Sequence, residues 1–134
     1  MGLEEAKLQE LKEIFKSYSN LKATYLFGSY AIDQENDSSD LDFGILLDQD
    51  YNKQIKLDIL TKLAEKGYCD IDLVLLNEAD ILTSYEVVKH NQIIYNRDDF
   101  DPNSYFSLSV RRYLDFKPFL KVQREYLKEQ IING

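Results

Sequence analysis

Cysteine, histidine and proline are scarce in this chain. Its single cysteine, Cys69, excludes an internal disulfide and a cysteine zinc cluster, and is typical of a cytoplasmic protein. No apolar run approaches the ~20 residues that span a bilayer, and the acidic N-terminus lacks the basic start of a signal peptide. The rest of the composition, 44% apolar and 30% charged, predicts one globular domain over residues 1–134.

Basic residues are missing from one acidic stretch. Residues 33–50 include seven Asp or Glu and no Lys or Arg, whereas residues 111–128 include six basic residues against two acidic ones. The net charge of −8 argues against direct nucleic-acid binding, because such binding relies on Lys and Arg against phosphates. The uneven charge fits either two solvated faces of opposite charge or an acidic metal site plus a basic C-terminal helix that contacts phosphates or a partner.

The chain alternates helical and β-prone segments. Four β-prone runs predict strands, at residues 23–27, 41–47, 68–76 and 92–95. Helical periodicity and capping residues predict four helices, over 3–17, around 55–63 before Gly67, from Asn77 as the cap to Asn91 in the left-handed conformation, and from Asp101-Pro102 onward. The last helix covers about 102–132, and we expect it to kink or divide at Pro118.

A Gly-Ser turn precedes a pair of aspartates by ten residues. Gly28 lets the backbone approach a phosphate closely, and Ser29 adds a hydroxyl beside N–H groups that face an anion if a helix begins there. Asp40 and Asp42 supply hard oxygen ligands for Mg²⁺. This arrangement suits the binding of a metal-bound nucleoside triphosphate.

A third carboxylate follows from strand alternation. Asp40 and Asp42 share one face of their strand, and Asp70 and Asp72 share one face of a later strand, opposite Cys69, which we expect to be a core thiol. If the strands are neighbours, Asp72 or Asp70 joins the pair. Three clustered carboxylates repel one another without a cation. Two Mg²⁺ ions bridged by triphosphate oxygens remove that conflict and orient an in-line displacement.

These motifs resemble the nucleotidyltransferase superfamily that shares its core with the polymerase β palm. Its pattern is a Gly-Ser, a spacer, an Asp-x-Asp and a later acidic residue on an adjacent strand. The chain is more closely similar to the minimal nucleotidyltransferases (MNT), the antitoxin halves of HEPN/MNT toxin–antitoxin pairs. The likeness covers roughly residues 22–96 and is carried by five segments, LFGSYA (26–31), SDLDFGIL (39–46), IDLVLLN (71–77), YEVVK (85–89) and IIY (93–95).

The resemblance implies an α+β fold, an α/β-type nucleotidyltransferase palm with a small mixed β-sheet covered by helices on one face and a C-terminal helix. It implies that Asp40 and Asp42 bind both metals, and that Asp72 binds the catalytic metal and helps to deprotonate the attacking hydroxyl. Gly28 and Ser29 would hold the β- and γ-phosphates. The implied cofactor is Mg²⁺, with two ions, and the implied substrate is ATP.

The resemblance also implies a reaction and a partner. Antitoxins of this type resemble protein adenylyltransferases that move AMP from ATP onto a tyrosine of a HEPN ribonuclease. Ile32 and Asp33 stand where related enzymes often carry an Arg and a Gly, which leaves triphosphate affinity and substrate choice open. Asn91 replaces a frequent Gly, although Asn tolerates the same backbone.

Two other functions fit the same residues. One is a non-catalytic binding module that neutralises its partner by contact. The other is a nucleotidyltransferase acting on a small molecule such as an aminoglycoside, for which a homo-oligomer would replace the missing second domain. We expect His90 to be structural, and Arg111, Arg112 and Arg124 to lie on a solvated helix face unless they contact nucleotide or partner.

Overall fold

The computed structural model describes residues 5–28, 41–68 and 70–133, and it describes side chains as far as residue 119. This part of the chain contains four helices and four strands. Their order is α1 (Glu5–Lys16), β1 (Leu21–Phe27), β2 (Leu41–Leu47), α2 (Gln54–Glu65), β3 (Ile71–Leu75), α3 (Ile81–Val88), β4 (Ile93–Asn96) and α4 (Pro102–Asn133). None of these helices is both long enough and apolar enough to cross a membrane.

The four strands form one mixed sheet in the order β3-β2-β1-β4. β1 is antiparallel to both β2 and β4, whereas β2 and β3 are parallel. A parallel pair needs a long crossover connection, and α2 supplies it. The pair therefore starts at the same end of the sheet, with Leu41 beside Ile71 and Asp42 beside Asp72.

The helices pack on both faces of the sheet. On one face, α1 and α2 cover a cluster that includes Leu26 of β1, and Phe15 meets Phe43 edge to face at 5.5 Å between ring centroids. On the other face, α3 and Tyr105 of α4 cover a cluster that includes Tyr25. The mixed sheet and the C-terminal helix are confirmed. Helices cover both faces of the sheet, whereas the prediction had one covered face. The neighbouring residues Tyr25 and Leu26 of β1 belong to the clusters on opposite faces, and both are buried.

The start of α3 differs from the sequence prediction. Asp80, and not Asn77, is the N-cap, and its side chain accepts a hydrogen bond from the Thr83 N–H at 2.7 Å. The Asn77 amide instead accepts from the N–H of Leu47 and donates to its carbonyl, both at 2.8 Å. Because a side-chain amide both accepts and donates, it satisfies the N–H and the carbonyl of Leu47 at the end of β2. A helix cap needs only an acceptor.

The later helix ends agree better with the prediction. Asn91 follows α3 with φ at 51°, in the left-handed conformation. Asp101 accepts from the Asn103 N–H at 3.1 Å and from the Ser104 hydroxyl at 2.6 Å, so it caps α4 as expected. The helix α4 does not divide at Pro118, because it continues through that residue to Asn133, and a kink there stays a prediction.

Candidate active site

Two aspartates lie side by side where β2 and β3 begin. The register pairs Asp42 with Asp72 directly across the parallel ladder, and strands in such a pair are about 4.8 Å apart. The Leu41 N–H donates to the Asp70 carbonyl at 3.0 Å, which holds this register at the strand ends. Asp42 is half-buried and Asp72 is exposed. The structure therefore places Asp72 next to Asp42, while Asp70 precedes the strand.

Gly28 brings the end of β1 against the same carboxylates. Its φ is +75°, which favours glycine, and a Cβ built there would lie 2.2 Å from Oδ2 of Asp42. β1 and β2 are antiparallel neighbours with Phe27 opposite Asp42, so the turn after Phe27 begins beside the acidic pair. The Asp42 carboxylate occupies the space in which any larger residue at position 28 would place its side chain.

The structure joins Gly28, Asp42 and Asp72 at one end of the sheet. Ser29 and Asp40 lie outside the described residues, so their roles stay predictions. Within 5–28, 41–68 and 70–133, no group of three His, Cys, Asp or Glu side chains is arranged to hold a metal ion. A site of three carboxylates needs Asp40, and it too stays a prediction.

A groove of about 440 Å³ runs from Asp72 along the outer side of β3. Lys53 and Lys56, at the start of α2, form part of one wall, and Glu78 and Thr83 form part of the other. No sequence motif marks these residues. Two lysines three positions apart at a helix start are an ordinary pattern, and only the crossover places them beside Asp72.

Glu78 ties the wall of this groove to the loop before α2. Its carboxylate accepts a hydrogen bond from the Tyr51 hydroxyl and lies 3.8 Å from Nζ of Lys53. The hydrogen bond to Glu78 raises the pKa of Tyr51 above its ordinary value, because the bond requires the protonated phenol. These contacts hold the start of α2 close to the start of α3.

The other residues considered from sequence lie elsewhere. His90 is exposed in the turn after α3, and Arg111 and Arg112 are exposed on α4, so their roles stay predictions. Cys69 and the side chain of Arg124 lie outside the described part of the chain.

A mixed sheet between helices, with a glycine turn and two carboxylates in register at one end, defines a nucleotidyltransferase fold. The family model described as "Polymerase beta, Nucleotidyltransferase" matches residues 9–100. The chain belongs to this polymerase β nucleotidyltransferase family. A search of curated proteins finds no significant match.

Solved structures with a similar fold come from toxin–antitoxin complexes. A chain in a toxin–antitoxin crystal structure with AMP-PNP has a TM-score of 0.72 and 21% identity, covering 93% of this chain and 98% of that one. A chain in the Shewanella oneidensis complex of tri-AMPylated HEPN toxin with MNT antitoxin has a TM-score of 0.70 and 19% identity, covering 97% and 99%. A chain in an MntA–HepT complex has a TM-score of 0.68 and 18% identity, covering 96% and 99%. At these identities the likeness establishes a shared fold.

Proposed function

We propose that this chain is an MNT-type antitoxin that transfers AMP from ATP, with Mg²⁺, to a tyrosine of a HEPN-type toxin. The observation that carries the proposal is the pairing of Asp42 with Asp72 in register, with Gly28 against the Asp42 carboxylate. The family supports nucleotidyl transfer. The AMP-PNP complex and the tri-AMPylated HEPN toxin among the similar structures support the donor and the acceptor.

The residues present fit a metal-bound triphosphate. Carboxylate oxygens are the ligands that Mg²⁺ prefers, and two carboxylates side by side favour a cation between them. The Asp42 carboxylate fills the space that a Cβ at position 28 would need. The backbone of Gly28 therefore lies directly against this carboxylate. Asp40, Asp42 and Asp72 would hold two Mg²⁺ ions, which supply charge neutralisation and orientation of the phosphates.

The chain's own residues would then act in two ways. Gly28 and Ser29 hold the β- and γ-phosphates through the turn. Asp72, exposed at the strand start, accepts the proton of the attacking hydroxyl. The hydroxyl oxygen forms a bond to the α-phosphorus. The bond from that phosphorus to the oxygen bridging the β-phosphate breaks, and pyrophosphate leaves with the bonding electron pair.

The test is co-expression with the product of the neighbouring gene, followed by measurement of the intact mass of that product. We expect added AMP units with the parent chain and a loss of at least about 100-fold in transfer for Asp42→Asn and for Asp72→Asn, because each removes a charge from the reacting site. Asp70→Asn is the matched control, since Asp70 is exposed but precedes β3. Equal AMP transfer by Asp42→Asn and the parent would contradict the mechanism.

A second candidate function is neutralisation by contact alone. Ile32 and Asp33 favour it, since related enzymes often carry an Arg and a Gly there. In that case Asp42→Asn still suppresses toxicity in cells and the toxin retains its unmodified mass. If suppression is lost together with the added AMP, contact alone does not explain neutralisation.

A further inference from the structure

A second, smaller cavity of about 120 Å³ lies between α3 and α4. Its polar lining comes from Ser84 of α3 and from Tyr105, Ser109 and Arg112 of α4. The cavity also borders Leu76, which follows Asp72 by four residues, or about 13 Å along an extended chain. It therefore lies beyond the end of β3 that is opposite to the candidate active site.

The charge of this cavity differs from that of the groove at Asp72. Among the residues that the structure describes, one cation, Arg112, and no carboxylate line the cavity. The groove sets two lysines against two carboxylates. Arg112 forms no ion pair within the described part of the chain. In a chain with a net charge of −8, a guanidinium without a carboxylate partner beside a cavity favours an anionic ligand.

Three hydroxyls share the cavity with this guanidinium. Tyr105 and Ser109 are four positions apart on α4, so they lie on one face of the helix, and Ser109 is only 6% exposed. Both Ser109 and Arg112 act on the Tyr105 hydroxyl, so these three groups lie close together. Burial raises the pKa of Tyr105, so its hydroxyl keeps its proton at neutral pH and can donate a hydrogen bond.

The number of donors and the volume together indicate the class of anion. A guanidinium donates two parallel N–H bonds to a phosphate or to a carboxylate. A carboxylate has two oxygens, whereas a tetrahedral oxyanion has four and can also use the three hydroxyls. A volume of about 120 Å³ exceeds the roughly 10–15 Å³ that one water molecule needs, and it lies well below the roughly 300–1,000 Å³ of larger ligand pockets. The cavity therefore suits a single small ion better than a nucleotide.

We propose that this cavity binds one small tetrahedral oxyanion of the phosphate class, held by Arg112 together with the hydroxyls of Ser84, Ser109 and Tyr105. The site is separate from the pair of Asp42 and Asp72 and does not depend on the proposed function. Because its donors come from both helices, the bound ion links α3 to α4.

The first test is an NMR titration of the isotope-labelled chain with inorganic phosphate, in EDTA so that no divalent metal is present. We expect saturable shifts of the Ser84 and Ser109 amides, and a Kd at least tenfold weaker in Arg112→Met, which lacks the cation. Arg111→Met is the matched control, because Arg111 is exposed on α4 but does not line the cavity. The absence of saturable shifts in the parent, or equal weakening in the two variants, would overturn the proposal.

The second test separates the possible sources of the oxyanion. We expect acetate and AMP each to need at least a tenfold higher concentration than phosphate to shift the Ser84 and Ser109 amides, because acetate has two oxygens fewer and AMP exceeds the cavity. If acetate or AMP bound as tightly as phosphate, the assignment to a small tetrahedral ion would be wrong.

An Asp42→Asn variant distinguishes this site from the candidate active site. We expect its Kd for inorganic phosphate to stay within twofold of the parent, because Asp42 does not line the cavity. A larger change would place the phosphate at the candidate active site and overturn the inference. Phosphate binding by a parent chain that transfers no AMP would support the inference and contradict the proposed function alone.

Discussion

The two ends of the sheet arrange their acidic residues in opposite ways. Where β2 finishes, the Arg97 guanidinium donates to Asp48 at 2.9 and 2.7 Å and to Asp99 at 2.5 and 3.1 Å, and it also reaches the Ser19 carbonyl at 2.8 Å. Where β2 begins, Asp42 and Asp72 stand beside each other in register.

This difference distinguishes the structural aspartates, Asp48 and Asp99, from the candidate functional aspartates, Asp42 and Asp72. At the Arg97 end the chain supplies its own cation, and the bidentate pair ties the β2–α2 connection to the segment after β4. At the Asp42 end the parallel ladder fixes two carboxylates next to each other, an arrangement that suits an added cation. The same residue type therefore pairs with Arg97 at one end of the sheet and lies in the candidate active site at the other.

The largest expected effect, on AMP transfer, comes from comparing the same Asp→Asn substitution at the two ends of the sheet. We expect Asp42→Asn to lower AMP transfer by at least about 100-fold in a chain that still folds. We expect Asp48→Asn to keep transfer and to lower Tm, because it removes the charge that faces Arg97. Transfer assays and thermal unfolding of both variants check this. If Asp48→Asn lost AMP transfer at a temperature at which the variant is still folded, Asp48 and Asp42 could not be distinguished as structural and functional residues.

A pair of glycine substitutions sharpens the description of the site. Gly28 and Gly67 both have positive φ, +75° and +95°, so alanine at either costs roughly 1–2 kcal/mol of backbone strain. Only Gly28 has a neighbour in the way, Oδ2 of Asp42, whereas nothing lies within 4 Å of a Cβ at Gly67. We expect both variants to lose similar stability and only Gly28→Ala to lose transfer, by at least about tenfold. Equal transfer in the two variants would show that the contact has no functional role.

The smallest effect concerns stability at acid pH. The hydrogen bonds from Arg97 hold the pKa values of Asp48 and Asp99 below their ordinary value of 3.8. Lowered folded-state pKa values add stability above the unfolded value, and this stability is lost as pH falls through the folded value. We expect Arg97→Met to be less stable than the parent at pH 7, with the difference shrinking toward pH 3. Denaturant titrations at both pH values measure the free energy of unfolding of parent and variant. A difference that is the same at both pH values would show that the lowered pKa values of Asp48 and Asp99 do not contribute to stability.

The strands and the acidic pair were predictable because local patterns determine them. β2 spans residues 41–47 as predicted, since alternation and the flanking polar residues are visible in the sequence. The pairing of Asp42 with Asp72 needed one assumption, that the two strands are neighbours, and the sheet order confirms it. The left-handed Asn91 followed from the tolerance of Asn for that backbone.

Other features depend on tertiary contacts that no local pattern contains. Asn77 has the residue type of a helix cap, yet its amide bonds to Leu47, which is 30 positions away in sequence. Lys53 and Lys56 line the groove only because the crossover returns the chain to β3. Arg97 carries no motif, and its pairing with Asp48 depends on the antiparallel placement of β4.

The parallel pairing of β2 with β3 also links the site to folding. Asp42 and Asp72 are separated in sequence by the whole of α2, so they meet only after the crossover has closed, and such non-local contacts form slowly. In an unfolded or newly synthesised chain the candidate active site is therefore not yet assembled. Any ligand of this site binds the native state alone and stabilises it by mass action, by about 2.7 kcal/mol at one hundred times its Kd. If the proposed Mg²⁺–nucleotide complex is that ligand, adding it should raise the Tm of the chain.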